Sequence, residues 1–123
     1  MLKITVHEKT VGVFTISPEG SIDTNTHTIL ENRIDSLLQS EATVIVFDLS
    51  AVTFISSSGI RVILKAQKAL KNRNGKVVLM NLQAQVKKVF EIINALPSLS
   101  VFASIEELDQ YLDHVQRKVT EKK

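Results

Sequence analysis

At 123 residues the chain has the length of one domain, enough to bury about two-thirds of the surface that an unfolded chain exposes without metal or disulfide staples. With 44% hydrophobic and 23% charged residues it is neither disordered nor fibrous, and the absence of cysteine excludes disulfides, thiolate metal sites, iron–sulfur clusters and a thiol nucleophile. The net charge of +2 is uneven: Arg117, Lys118, Lys122 and Lys123 against Glu121 give the last seven residues +3 and leave −1 for residues 1–116. The basic character therefore belongs to a short tail. With five Phe, one Tyr and no Trp, the chain lacks the aromatics of a base-stacking platform, and nucleic acid is not an expected partner.

Leu2, Ile4 and Val6 alternate with Lys3, Thr5 and His7, and Val11, Val13 and Thr15 follow after a short break. This pattern predicts two opening strands rather than a signal peptide. Pro18-Glu19-Gly20 reads as a turn. From Thr24 to Ser40, Leu30, Ile34, Leu37 and Leu38 recur at helical spacing, with Asp23, Thr24 or Asn25 available as the side-chain cap. Thr43 to Phe47 is a short β-branched run with little polar alternation, as expected for an interior strand covered on both faces. After Asp48-Leu49-Ser50, a connection ending in Ser56-Ser57-Ser58-Gly59 leads to Ile60, Ile63, Leu64 and Leu70, a second helix stopped by Asn74-Gly75.

Lys76 to Leu82 reads as another buried strand, and Val86, Val89, Phe90 and Ile93 as a third helical stripe ended by Pro97. A brief strand over Leu99 to Phe102 precedes a fourth helix, whose Ser104 and Glu107 fit a capping box ahead of Leu108, Tyr111, Leu112 and Val115. No apolar run approaches the ~20 residues of a membrane span, so no membrane insertion is expected. The order of elements predicts a single α/β domain over residues 1–116, a mixed, largely parallel sheet of about five strands with four helices, followed by a frayed basic tail over 117–123.

Little of the usual chemistry of enzymes is legible. His7, His27 and His114 are far apart in sequence and read as surface residues, and no two histidines have the spacing of helical metal ligands. Glu106, Glu107, Asp109 and Asp113 read as the solvated face of a capped helix. With four glycines and no P-loop, Gly-x-Gly-x-x-Gly or Gly-x-Ser-x-Gly, a nucleotide-cradling enzyme is not expected, and neither metal nor cofactor is implied. The exception to this plain background is Asp48 to Ile60, lying where a strand hands over to a helix, the usual location of function in an open α/β sheet. One serine there is explained by an N-cap. Three in a row beside Gly59 are not. A phosphate on a serine at this point would sit near unpaired helix amides, so the fold would tolerate it.

At these residues the sequence resembles the STAS-domain family of bacterial anti-sigma factor antagonists, in which an Asp-Leu-Ser-x-Val-x-Phe-x-Asp-Ser-Ser-Gly-like stretch opens the second helix. Gly20-Ser21-Ile22-Asp23 is similar to the family's Gly-x-Leu/Ile-Asp turn, and Gly75-Lys76-Val77-Val78-Leu79 to its next buried strand. The resemblance implies a cytoplasmic, non-enzymatic binding switch. An anti-sigma factor that is itself an ATP-dependent serine kinase is captured by the unphosphorylated antagonist and inactivates it by phosphorylation, with a serine phosphatase as a further partner. The family's acceptor, two residues before the glycine, falls on Ser57. Where the family has aspartate this chain has Ser56, which makes Ser56 a competing acceptor. Asp23, Ser56, Ser57, Ser58, Gly59 and Arg61 are the expected partner-binding residues. Asp23 has a plain alternative role as a helix cap, and Arg61, Lys65 and Lys68 share one helix face whose ordinary explanation is solvation.

Two other readings stay open on the sequence. The domain could be a STAS partner subunit of a lipid-transport or stress-signalling complex that is never phosphorylated. A phospho-aspartate receiver could use Asp48, although the acidic pair that holds its magnesium is missing from His7-Glu8-Lys9-Thr10. An enzyme with Ser57 as nucleophile lacks a base within evident reach.

Overall fold

A computed structural model describes residues 2–92 and 100–102. Among the described residues six strands and three helices follow in the order β1 (Lys3–Thr10), β2 (Val13–Ile22), α1 (His27–Gln39), β3 (Val44–Asp48), β4 (Val52–Ile55), α2 (Ser57–Lys71), β5 (Lys76–Met80), α3 (Ala84–Ile92) and β6 (Ser100–Phe102). The sheet runs β1-β2-β3-β5-β6, with β4 paired to β2 off this path. β1 and β2 are antiparallel; β2–β3, β2–β4, β3–β5 and β5–β6 are parallel. The architecture is thus the expected α/β domain with a mixed sheet. Its antiparallel edge hairpin differs from the 2-1-3-4-5 order of receiver-type sheets, which removes the receiver reading of Asp48. The fourth helix and the basic tail lie outside the described residues.

The strand compositions account for their places. Ile45 and Phe47 of β3 and Val77 and Leu79 of β5 face one core, while Val46, Val78 and Met80 are buried on the opposite face. Strands covered on both sides can carry apolar residues without alternation. On the first face α1 contributes Leu30 and Ile34, α2 contributes Ile60, Ile63, Ala66 and Leu70, and α3 contributes Val86 and Phe90. Each fully buried Leu, Ile or Phe is worth about 1.5–3 kcal/mol relative to exposure.

Two features depart from the sequence-based expectation. Pro18-Glu19-Gly20 is not a turn: β2 runs through it to Ile22. Pro18 falls in the gap between the ladder to β3, which ends at Ile16, and the ladder to β4, which begins at Gly20, so its missing N–H costs little. Gly20, at φ +113, adopts a conformation open to glycine, and the β2–β4 register shifts just after it. The second departure is β4 itself, which occupies what the sequence suggested was only a connection. Val11 is likewise a turn residue, 97% exposed, rather than part of a strand.

At the far end of α2, Gly75 donates its N–H to the Leu70 carbonyl at 2.7 Å, and a Cβ placed on it would lie 2.0 Å from the Thr43 carbonyl oxygen. Only glycine permits β5 to start this close to β3. Asn74, at φ +62, completes the left-handed exit from the helix.

Candidate functional site at the start of the second helix

The β4–α2 junction is set by one backbone hydrogen bond. Ser56 N–H donates to the Ile22 carbonyl at 2.8 Å, one step beyond the Ile22–Ile55 pairing. Ser56 is still extended, with φ −90 and ψ 170, and its Oγ accepts from the Gly59 N–H at 3.3 Å while its carbonyl accepts from the Ile60 N–H at 3.1 Å. Ser56 is therefore the N-cap of α2, and its hydroxyl is committed to an otherwise unpaired amide. Ser57, the first helical residue, is exposed; Ser58 is half-buried. The three adjacent serines thus have different surroundings, which the sequence alone did not separate.

Gly59 is buried. A Cβ there would come within 2.6 Å of Ile22 Cγ2 and 2.9 Å of Ile55 Cγ1, so glycine lets the first turn of α2 lie directly on β2 and β4. Its role is packing, and it offers no surface to a partner.

Asp23 follows Ile22 as Ser57 follows Ser56, so both leave the same hydrogen bond, one into α1 and the other into α2. Asp23 Oδ1 accepts from the N–H groups of Asn25 at 2.9 Å and Thr26 at 3.0 Å and from the Thr26 hydroxyl at 3.1 Å. In return Thr26 Oγ1 accepts from the Asp23 N–H at 2.9 Å, and its one proton is shared between Asp23 Oδ1 and the nearer Ser21 carbonyl at 2.8 Å. This reciprocal pair has the bonding pattern of a capping box, in which each side chain satisfies the other's backbone amide, but it closes the turn 24–26 just before α1. The Asn25 N–H, and then the Thr26 bonds, hold the Asp23 carboxyl below its ordinary range despite an opposing desolvation. Asp23 thus caps the turn that leads into α1 and not the helix itself, whose N-cap is Thr26, and the turn holds the carboxylate next to the Ile22–Ser56 bond.

Between the two helices runs a groove of about 220 Å³ lined by His27 and Glu31 of α1 and Ser58, Arg61, Val62 and Lys65 of α2. Lys65 Nζ donates to Glu31 Oε2 at 3.0 Å, and Glu31, with Asp35 more distant, raises the lysine pKa. His27 is half-buried there, with Nδ1 3.3 Å from the Asp23 carbonyl oxygen, rather than on an open surface. Of the basic face expected on α2, Lys65 is engaged across the groove. Among the described residues Arg61 and Lys68 have no ion pair.

The segment before the serines is braced from below. Asp48 Oδ1 accepts from the Ser50 N–H at 3.1 Å and Asn81 Nδ2 at 3.3 Å, and Gln83 Nε2 donates to the Ser50 carbonyl at 2.6 Å. Asp48, the last residue of β3, thus uses its carboxylate to hold the loop that follows. On β4, Val52 and Ile55 are buried while the bulged pair Thr53 and Phe54 face outward, leaving Phe54 50% exposed next to the cluster. Phe54 was not legible as a site residue in the sequence. An aromatic in a short β-branched stretch was the available signal, but only the bulge turns it outward. Among the described residues no group of three His, Asp or Glu could hold a metal, and no helix is long and apolar enough to cross a membrane.

Comparison with known proteins bears on this arrangement. The STAS domain family matches residues 5–108. BtrV of Bordetella bronchiseptica, named as a candidate anti-sigma factor antagonist, is 30% identical over 105 residues, covering 85% of this chain and 90% of its own. The anti-sigma factor antagonist SpoIIAA in its unphosphorylated form superposes with a TM-score of 0.79 at 21% identity, covering 90% of this chain and 97% of its own. The phosphorylated form of SpoIIAA, a Bacillus cell fate determinant, gives 0.70 at 21% identity over 89% and 99%.

Proposed function

Since this chain belongs to the STAS domain family of anti-sigma factor antagonists, we propose that it is a cytoplasmic, non-enzymatic binding switch that captures an anti-sigma factor when Ser57 is unmodified and releases it when Ser57 is phosphorylated. The observation that carries this reading is the division of labour within the serine cluster. Ser56 has its hydroxyl bound to the Gly59 amide, whereas Ser57 is exposed at the first position of the helix. A kinase needs a free hydroxyl, so Ser57, not Ser56, is the acceptor. In the transfer the Ser57 Oγ attacks the γ-phosphorus of ATP, the bond to the β-phosphate oxygen breaks, ADP leaves, and the hydroxyl proton passes to a base of the kinase. That one structural relative exists in unphosphorylated and phosphorylated forms supports a switch of this kind.

The capture surface on this reading comprises Asp23, Ser56, Ser57, Ser58 and Arg61, with Phe54 as an apolar anchor beside them. Added phosphate carries roughly 1.5 to 2 negative charges, which α2's first amides and helix dipole accommodate in the free protein. In a closed interface that charge finds no counterpart. Burying it unpaired costs on the order of 2 to 5 kcal/mol, or roughly thirtyfold to several thousandfold in affinity.

The test is to incubate the chain with ATP and candidate anti-sigma kinases and then analyse the peptide spanning Ser56 to Ser58 by mass spectrometry. Phosphate on Ser57, with loss of a complex that forms before ATP is added, is the expected result. Modification confined to Ser56 or Ser58, or capture indifferent to phosphorylation, would overturn it.

A further inference from the structure

We propose that Arg61 serves two anions in turn: an acidic side chain of the captured partner while Ser57 is unmodified, and the phosphate of Ser57 itself once it is added. The inference rests on the switch proposed above and names the chemistry by which that switch is thrown. α2 carries Arg61, Lys65, Lys68 and Lys71 and no acidic residue. Lys65 is already bound to Glu31. Arg61 is exposed, lines the groove between α1 and α2 beside His27 and Ser58, and has no ion pair among the described residues. It is therefore the guanidinium available to an anion at this surface, and its planar fork suits a carboxylate or a phosphate.

Ser57 and Arg61 are four residues apart on one helix, so they are neighbours across a single turn, with Cβ atoms about 5–6 Å apart. An arginine stem spans that distance. A phosphate on Ser57 can draw Arg61 out of the partner-facing groove, so modification both adds charge and removes the cation that capture uses. The other charged groups around the phosphate do not substitute for it. Asp23 is an anion, Glu31 is satisfied by Lys65, and His27 is half-buried with one ring nitrogen turned to the Asp23 carbonyl.

The experiment has two arms. In the first, the chain is made with phosphoserine encoded at position 57 and titrated by phosphorus NMR, as wild type, Arg61→Gln, Arg61→Lys and Lys68→Gln. A phosphate group titrates near ~6. Loss of an exposed one-turn ion pair should raise that value in Arg61→Gln by roughly 0.3 unit. Arg61→Lys should retain part of the effect, and Lys68→Gln, farther along the helix, should leave it unchanged. No difference between Arg61→Gln and Lys68→Gln overturns the intramolecular pairing.

The second arm measures affinity of the unphosphorylated variants for the anti-sigma factor that phosphorylates the wild-type chain. Arg61→Gln should weaken capture roughly tenfold, and unchanged affinity overturns the partner-facing half. Both substituted positions are exposed, and melting curves establish that the variants are folded. Because phosphoserine is encoded, the first arm reads Arg61 whether or not any kinase modifies Ser57, so failure of this inference is distinct from failure of the switch.

Discussion

Adjacent serines of identical chemistry divide their tasks because the helix begins between them. Ser56 Oγ holds the Gly59 amide, and Ser57 is left exposed one residue on. Ser57→Ala should keep capture and block inactivation. Ser57→Asp should weaken capture, by less than phosphate does because aspartate has less charge and fewer acceptor oxygens. Titration calorimetry on the three proteins with one anti-sigma factor, together with their melting temperatures, checks this. Equal affinities, or an unstable aspartate variant, would return Ser57 to a purely structural role. Asp23 makes a separate, pH-dependent contribution. Its carboxyl titrates lower in the folded chain than in the unfolded one, chiefly through the Asn25 N–H and next the Thr26 bonds. The stability it supplies is therefore fully present above the unfolded value of about 3.9, and it fades as pH falls through the depressed folded value. Asp23→Asn should lower the melting temperature at neutral pH. That difference should shrink on acidification below about pH 4, as thermal melts followed by circular dichroism can measure.

Between β4 and α2, close packing and an outward bulge act together. The first turn of α2 lies so near β2 and β4 that a single methyl at position 59 would overlap Ile22 and Ile55. Gly59→Ala should accordingly cost about 1–3 kcal/mol, although alanine is the better helix former. Urea unfolding would detect it as a lower midpoint with an unchanged slope, and a stabilised variant would mean that the helix can shift away at no cost. On β4 the bulge turns Phe54 outward, an aromatic side chain half in water beside the serines. If this surface takes a partner, Phe54 has the character of an anchor: large, apolar and central. Phe54→Ala should weaken capture by about 2 kcal/mol, roughly thirtyfold, while leaving the melting temperature within a degree or two. A loss of stability without loss of affinity would assign Phe54 to packing instead.

Across the whole molecule, β2 ties the two helix starts together. It pairs with β3 through Val13–Ile16 and with β4 through Gly20–Ile22, then ends at the point from which Asp23 leads into α1. Because Ser56 bonds to Ile22, the beginnings of α1 and α2 share a single backbone anchor, and the groove of His27, Glu31, Ser58 and Arg61 opens between them. The net positive charge of the sequence comes from its last seven residues. Since the fourth helical stripe expected from the sequence ends at Val115, deletion of 117–123 should leave melting temperature and capture nearly unchanged at physiological salt, where charges are screened beyond about 8 Å. Loss of capture on deletion, measured by calorimetry, would make the tail a contact.

Sequence by itself determined the element types, because hydrophobic period, caps and stop signals are local. The run Thr43–Phe47, the stripe Ile60–Leu70 and the Asn74-Gly75 stop all mark elements that the structure contains. It also marked the serine cluster as unusual for a helix cap. It misread Pro18-Glu19-Gly20 as a turn and overlooked β4, since proline and glycine signal turns locally, while their tolerance within a strand depends on which neighbouring ladders are absent. Which serine is capped, which side of β4 Phe54 faces and which of α2's cations is already paired were decided only by tertiary structure. Each depends on a partner distant in the chain: Ile22 for Ser56, the β2 ladder for Phe54 and Glu31 for Lys65.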